Sequence, residues 1–255
     1  MKLCDYIYFY IKNNPYFTDI KKINESFVCT NHFGTDYDCN CAFLFDDSKK
    51  QAEAHFKKLG KTPVFYNFRV AGLDFAEKLE GYEIYHADLW LTAKVSALSK
   101  KFALFKCPSS ITLERVDESN YAKQNEISNA GFSAVGEDNP YSDVDLADYS
   151  NSLKLKFDNS KNDELVIFLL NFKGESVGVI NLNIEGETCY IAGFTIKPEY
   201  RRTRLFFALK LVLNFLKKKG VKNILCITEN DGYPGKIYQK LGFTPLCVAD
   251  IYKKK

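Results

Sequence analysis

A chain of 255 residues with 35 Lys and Arg against 32 Asp and Glu has a formal charge of only +3, too small to argue for nucleic acid. Hydrophobic residues are 46% and charged residues 26% of the total, the balance of a soluble globular protein long enough for one large domain or two small ones. No apolar run approaches the ~18 residues a membrane span needs, so no membrane partner is expected.

The eight cysteines, at 4, 29, 39, 41, 107, 189, 226 and 247, invite a disulfide reading. The start Met1-Lys2-Leu3-Cys4-Asp5 has no apolar signal core, however, and the expectation is reduced thiols in the cytoplasm. Cys39-Asn40-Cys41 has one intervening residue and no following partner pair, which is not a zinc spacing.

The first 105 residues are the least legible. Ser48 to Leu59 reads as a helix ended by Gly60, and Pro63 to Phe68 as a strand. A short helix over Leu73 to Leu79 and a strand from Glu83 to Ala93 follow. Lys106-Cys107-Pro108-Ser109-Ser110 reads as a linker and divides the chain into residues 1–106 and 107–255.

Beyond the linker the pattern sharpens. Ile111 to Val116 alternates as a strand, Ser119 to Ala130 is helical, Gly131 to Tyr141 is a loop, and Asp143 to Phe157 is a second helix. Three strands follow, Glu164 to Phe172, Ser176 to Ile184 and Thr188 to Ile196, joined by the turns Lys173-Gly174-Glu175 and Glu185-Gly186-Glu187. A long helix from about Thr203 to Lys219 carries Leu205, Ala208, Leu209, Val212, Phe215 and Leu216 at helical spacing and stops at Gly220. Strand Asn223 to Thr228, a short helix over Lys236 to Leu241 and strand Pro245 to Tyr252 complete a mixed α/β order.

The helix, strand, short helix, strand order of residues 48–93 repeats from Thr203 onward. Phe75-Ala76-Glu77-Lys78-Leu79-Glu80-Gly81-Tyr82 echoes Ile237-Tyr238-Gln239-Lys240-Leu241-Gly242-Phe243, which reads as a degenerate internal repeat.

Two stretches carry chemistry. In the first, a strand delivers Pro198-Glu199-Tyr200-Arg201 and a helix opens directly afterward. Unpaired amides at such a helix start suit a pyrophosphate, and Arg201, Arg202 and Arg204 add charged donors. In the second, a strand ends in the polar, glycine-rich Thr228-Glu229-Asn230-Asp231-Gly232, and a short helix then presents Tyr238 and closes on Gly242-Phe243.

Together these stretches resemble the GNAT superfamily of N-acetyltransferases, over about Ile111 to Lys255. The resemblance implies a central mixed, mostly antiparallel sheet flanked by helices, with a smaller, degenerate GNAT-like half in residues 1–106. It implies acetyl-CoA as co-substrate and a small-molecule or peptide amine as acceptor, in a monomer or homodimer. The strand Ile191 to Ile196 takes the place of the one that splays from its neighbour, which puts Phe194, Thr195 and Ile196 at the pantetheine arm. Arg201, Arg202, Thr203 and Arg204 fall on the pyrophosphate loop, and Asn230 on the family's Asn-containing loop. Tyr238 takes the place of the tyrosine that protonates the departing thiolate. The chain departs from the family where Arg204 and Phe206 replace the two loop glycines, whose missing Cβ atoms let amides approach phosphate.

No general base is evident. Cys189-Tyr190-Ile191-Ala192-Gly193-Phe194-Thr195 holds no carboxylate, Glu185 and Glu187 flank a turn, and Glu137, Asp138 and Asp143 lie on the loop expected over the acceptor. Cys189 has no neighbouring His and reads as a buried structural thiol. His32, His55 and His86 have no ligand spacing, so no metal site is expected, and the N-terminal part reads as non-catalytic. The missing glycines and carboxylate also admit a catalytically inactive, GNAT-derived ligand-sensing or partner-binding module.

Overall fold

A computed structural model describes residues 1–34, 39–132, 146–160, 164–201 and 205–255. In chain order the elements are α1 (Leu3–Asn13), β1 (Asp19–Ile23), β2 (Ser26–Thr30), β3 (Cys41–Phe43), α2 (Lys49–Lys58), β4 (Val64–Phe68) and β5 (Tyr82–Lys94). They continue with α3 (Val95–Ala103), β6 (Ile111–Arg115), α4 (Tyr121–Phe132), α5 (Leu146–Asn159), β7 (Leu165–Phe172), β8 (Glu175–Glu185) and β9 (Thr188–Ile196). The last four are α6 (Ala208–Lys218), β10 (Asn223–Glu229), α7 (Tyr233–Leu241) and β11 (Thr244–Lys254). The mixed α/β architecture expected from the sequence is present.

The chain forms two compact units. The first combines Met1–Thr92 and Asn151–Leu153 with Ile227–Lys255, and the second combines Ala93–Ser150 with Lys154–Cys226.

In the first unit β1, β2 and β3 pair antiparallel, and β3 runs parallel to β4 through the α2 crossover. β11, from the far end of the sequence, then inserts between β4 and β5 and is antiparallel to both, with Ala249 opposite Phe68 on one side and Asp88 on the other. The two faces of this sheet have separate cores. On one, Tyr10 of α1 stacks edge-on against Trp90 at 5.0 Å, and Phe68 meets Trp90 at 5.3 Å. On the other, α2 lays Ala52 and Phe56 against Val28, Ala42 and Phe65. A bidentate ion pair fixes β11: Arg69, just past β4, donates to the buried Asp250 carboxylate at 2.6 and 2.5 Å. The carboxylate raises the Arg69 pKa above its ordinary value.

In the second unit the order is β10-β9-β8-β7-β6, antiparallel except for the parallel β9–β10 pair, whose crossover contains α6. Leu205, Leu209, Val212, Leu213 and Leu216 form the buried stripe expected of that helix, and Phe215 packs edge-on against Phe168 of β7 at 5.1 Å. Both expected glycine turns are present, with Gly174 at φ +87° and Gly186 at φ +55°, where the absent side chain removes the strain.

Several elements differ from their sequence reading. The long helix begins at Ala208, not Thr203, and a 3-10 turn over Leu205–Phe207 precedes it. α7 begins three residues earlier than expected, because Pro234 in the first turn needs no amide partner and favours a helix start. The helix expected over Leu73 to Leu79 is a single 3-10 turn, Ala76–Lys78. α1, β1 to β3 and α3 were not anticipated.

The asymmetry of the Arg69–Asp250 pair yields a test. Side-chain exposure is 50% for Arg69 and 5% for Asp250, so losing the arginine strands a buried carboxylate whereas losing the aspartate frees a guanidinium to water. Arg69→Ala is expected to destabilise by about 3 kcal/mol in denaturant unfolding, more than Asp250→Ala. Equal effects would show that the carboxylate is not stranded.

Candidate functional site

The strand expected to open toward a ligand does change its pairing part-way. β9 pairs with β10 from Thr188↔Asn223 to Ile191↔Cys226, and among the described residues the ladder stops there. On the other side β9 stays paired with β8 as far as Ile196, but the register skips Ala192 between Gly193↔Asn181 and Ile191↔Leu182. Ala192 is thus a bulge, one extra residue that bends and re-aims the strand. Ala192, Gly193, Phe194 and Ile196 are all half-buried, in a strand whose first four residues are buried.

The direction of the amides follows from alternation. Lys197 N–H donates to Val177 O on the β8 side at 2.9 Å, so Thr195, two residues back, also faces β8. The carbonyl of Thr195 agrees, lying 2.7 Å from where a Cβ on Gly178 of β8 would sit. The N–H groups of Phe194 and Ile196 consequently point to the opposite edge, the one β10 has left.

Arg201 reaches that edge. Its Nε donates to Ile196 O at 3.2 Å and its Nη2 to Gly131 O near the end of α4, so the guanidinium ties the strand end to the helix end. Arg202, Thr203 and Arg204 lie outside the described residues. Phe206, at a former glycine position, is half-buried with its ring 4.4 Å from that of Phe207.

Asn230 and Tyr238 belong to the first unit. Asn230 follows β10, its backbone N–H donating to Ala87 O of β5 at 2.8 Å and its side-chain amide to Asp231 at 2.9 Å. Gly232 caps α7, and Gly235 packs within 3.3 Å (as a notional Cβ) of the Leu89 side chain of β5. Tyr238 is 8% exposed, with its ring edge-on to Phe243 at 5.1 Å; Gly242 at φ +111° ends the helix between them.

The remaining candidates separate clearly. Cys189 is fully buried, and burial pushes its thiol well above the ordinary range, which suits a structural residue and not a nucleophile. Glu187 forms a surface ion pair with Lys222, while Glu137, Asp138 and Asp143 lie outside the described residues. Among the described residues no group of His, Cys, Asp and Glu is arranged to hold a metal.

Sequence reasoning missed the support behind β9. Gly131 of α4 packs so tightly on Thr195 that a side chain there would collide with its hydroxyl. Beneath β9, Asn181 and Asn183 of β8 are 5% and 0% exposed, and Asn181 Oδ1 and both Asn183 amide atoms have no partner. Asparagine at alternate positions in an otherwise apolar strand was the available signal.

Residues 126–243 match the model of the Acetyltransferase (GNAT) family. No curated protein matches the chain by sequence. Among solved structures, a GCN5-related N-acetyltransferase from Kribbella flavida superposes with a TM-score of 0.68 at 15% identity, over 100% of this chain and 96% of that one. A functionally unknown conserved protein from Staphylococcus epidermidis gives 0.66 at 11% identity, over 93% and 94%. A tandem GNAT protein from the clavulanic acid biosynthesis pathway gives 0.56 at 13%, over 79% and 66%. At such identities these likenesses concern the fold alone. The family match thus identifies a GNAT acetyltransferase domain in residues 126–243, and the solved structures share the fold of the chain.

Proposed function

We propose that this protein transfers an acetyl group from acetyl-CoA to a primary amine of a small molecule or peptide. The GNAT domain supports acyl transfer in general terms. The observation that carries the finer reading is the edge of β9 beyond Ile191, where the Phe194 and Ile196 amides face away from β8 and outside the β10 ladder. An edge of amides without a partner among the described residues suits the amide-rich pantetheine arm, and one such N–H can stabilise the oxyanion formed when an amine adds to the thioester. Thr195 lies between them. Arg201, with Arg202, Thr203 and Arg204, takes the pyrophosphate, Asn230 also binds the cofactor, and Tyr238 protonates the leaving thiolate.

The same reading makes residues 1–106 a degenerate GNAT-like half and residues 107–255 the transferase domain. Its support is a shared motif: β3-α2-β4 in the first unit and β9-α6-β10 in the second are both parallel pairs joined by a helical crossover. A cytoplasmic monomer or homodimer fits this proposal, and no helix among the described residues is long and apolar enough to cross a membrane.

A second reading, an inactive ligand-sensing module, is favoured by one observation. The Arg201 guanidinium is engaged by two backbone carbonyls, and both loop glycines are replaced.

Two measurements separate these readings. Acetyl-CoA at ~100 times its Kd stabilises a folded protein by about 2.7 kcal/mol, so the melting temperature is expected to rise by several degrees; no rise would remove acetyl-CoA as ligand. Tyr238→Phe is expected to lower turnover about 100-fold with acetyl-CoA affinity by calorimetry unchanged, and an unchanged rate would exclude Tyr238 as the acid.

A further inference from the structure

The basic residues of this chain are unevenly placed. Ala93 to Leu113 contains four Lys and no Asp or Glu, and Tyr200 to Cys226 contains eight Lys and Arg and again no acid, in a chain whose formal charge is only +3. Both segments belong to the second unit, where α3 packs against α6, so the two acid-free stretches lie side by side. Such a surface attracts an anionic ligand. Pairing it with a second copy of itself would bring like charges together.

A row of aromatic rings crosses the same surface. Phe102, buried in α3, meets Phe105 at 6.1 Å; Phe105 meets Phe207 at 5.8 Å, and Phe207 meets Phe206 at 4.4 Å. The row opens to solvent as it leaves the core: Phe206 and Phe207 are half-buried, Phe105 is 44% exposed and the adjoining Leu104 is 88% exposed. Large apolar side chains grouped at the surface with a polar rim mark a binding site. Lys210, one turn after Phe207 on α6, donates from Nζ to the Phe105 carbonyl, which ties the end of α3 to α6. An ammonium has three donors, so this bond leaves Lys210 able to hold an anion beside the rings. The row also ends in a telling place, since Phe206 stands at the second loop-glycine position, two residues beyond Arg204.

We propose that Phe105, Phe206 and Phe207 form a platform on which the adenine of acyl-CoA stacks, with Lys210 beside it for the ribose 3′-phosphate. The proposal rests on the acyl-CoA reading above. Coenzyme A carries its adenosine directly beyond the pyrophosphate, so residues 201–204 that take the pyrophosphate deliver the purine to the residues next in the chain. A purine presents flat π faces and stacks on an open row of rings without needing a closed pocket. Phe206 then adds a nucleotide contact at the position where a glycine's close approach to phosphate is lost. The platform also sets the class of acyl donor. It favours free acyl-CoA over an acyl group on a phosphopantetheine arm that lacks adenosine, the form borne by carrier proteins.

The test is calorimetry on the full chain with three probes: acetyl-CoA, S-acetyl-4′-phosphopantetheine, which lacks the nucleotide, and adenosine 3′,5′-bisphosphate, which lacks the pantetheine arm. Phe105→Ala is expected to weaken acetyl-CoA and the bisphosphate about 10-fold and to leave S-acetyl-4′-phosphopantetheine unchanged, and Phe105→Trp is expected to retain all three. Saturating the aromatic protons of the protein is expected to transfer to adenine H2 and H8 of bound acetyl-CoA in difference NMR spectra, and less so in Phe105→Ala. If acetyl-CoA binds and Phe105→Ala binds it equally well, or loses the truncated thioester to the same degree, the platform is wrong and the acyl-CoA reading survives. If acetyl-CoA does not bind the unaltered chain, both fall.

Discussion

The bulge at Ala192 marks the point along β9 beyond which the sheet pairs its backbone groups on one side only among the described residues. Before it, β9 is paired on both sides. After it, the strand keeps β8 and leaves β10, and the Phe194 and Ile196 amides turn to an edge with no paired strand among the described residues. Stranding those donors away from water would be costly, so the local fold requires a hydrogen-bonding partner for them: solvent, or an extended ligand rich in amides. The packing around this stretch holds it in place. Gly178 lets the Thr195 carbonyl approach β8, Gly131 lets α4 close over the Thr195 side chain, and Arg201 bonds Ile196 O to α4. A methyl group at either glycine would disturb the strand that carries the site.

The first unit depends on a different constraint. Its sheet is completed by β11, which pairs with β4 and β5 although some 150 residues or more of sequence separate them. Pairing at this separation closes a long loop before any contact compensates for the lost entropy. The long antiparallel register and the Arg69–Asp250 fork supply that compensation. One consequence concerns chemistry. The loop with Asn230 and the helix with Tyr238 share their compact unit with the N-terminal residues, and Asn230 is bonded to Ala87 of the sequence-distant β5.

Much of the second unit was legible because its signals are local. Glycines at Gly174 and Gly186 mark two tight turns between β-rich runs, and the leucine stripe of α6 repeats at the helical period. Local patterning failed where aromatic density hid the period. Of the eleven residues of α1, the apolar or aromatic Tyr6, Ile7, Phe9, Tyr10 and Ile11 are buried in a nearly continuous run, so no polar face stands out. β1 is nearly all exposed and offers no alternation. The order of strands around β11 has no local signature at all. The Thr188 to Ile196 strand and the short helix with Tyr238 were legible as elements, whereas the bulge was not, since it depends on how Asn181 and Leu182 of a neighbouring strand are counted against β9.

Amide hydrogen exchange along β9 tests the central claim most directly. If the edge beyond Ile191 receives the pantetheine arm, acetyl-CoA will slow exchange at Phe194 and Ile196 and leave Thr195, already paired to β8, little changed. Saturating acetyl-CoA that leaves Phe194 and Ile196 exchanging at their ligand-free rates would contradict the account.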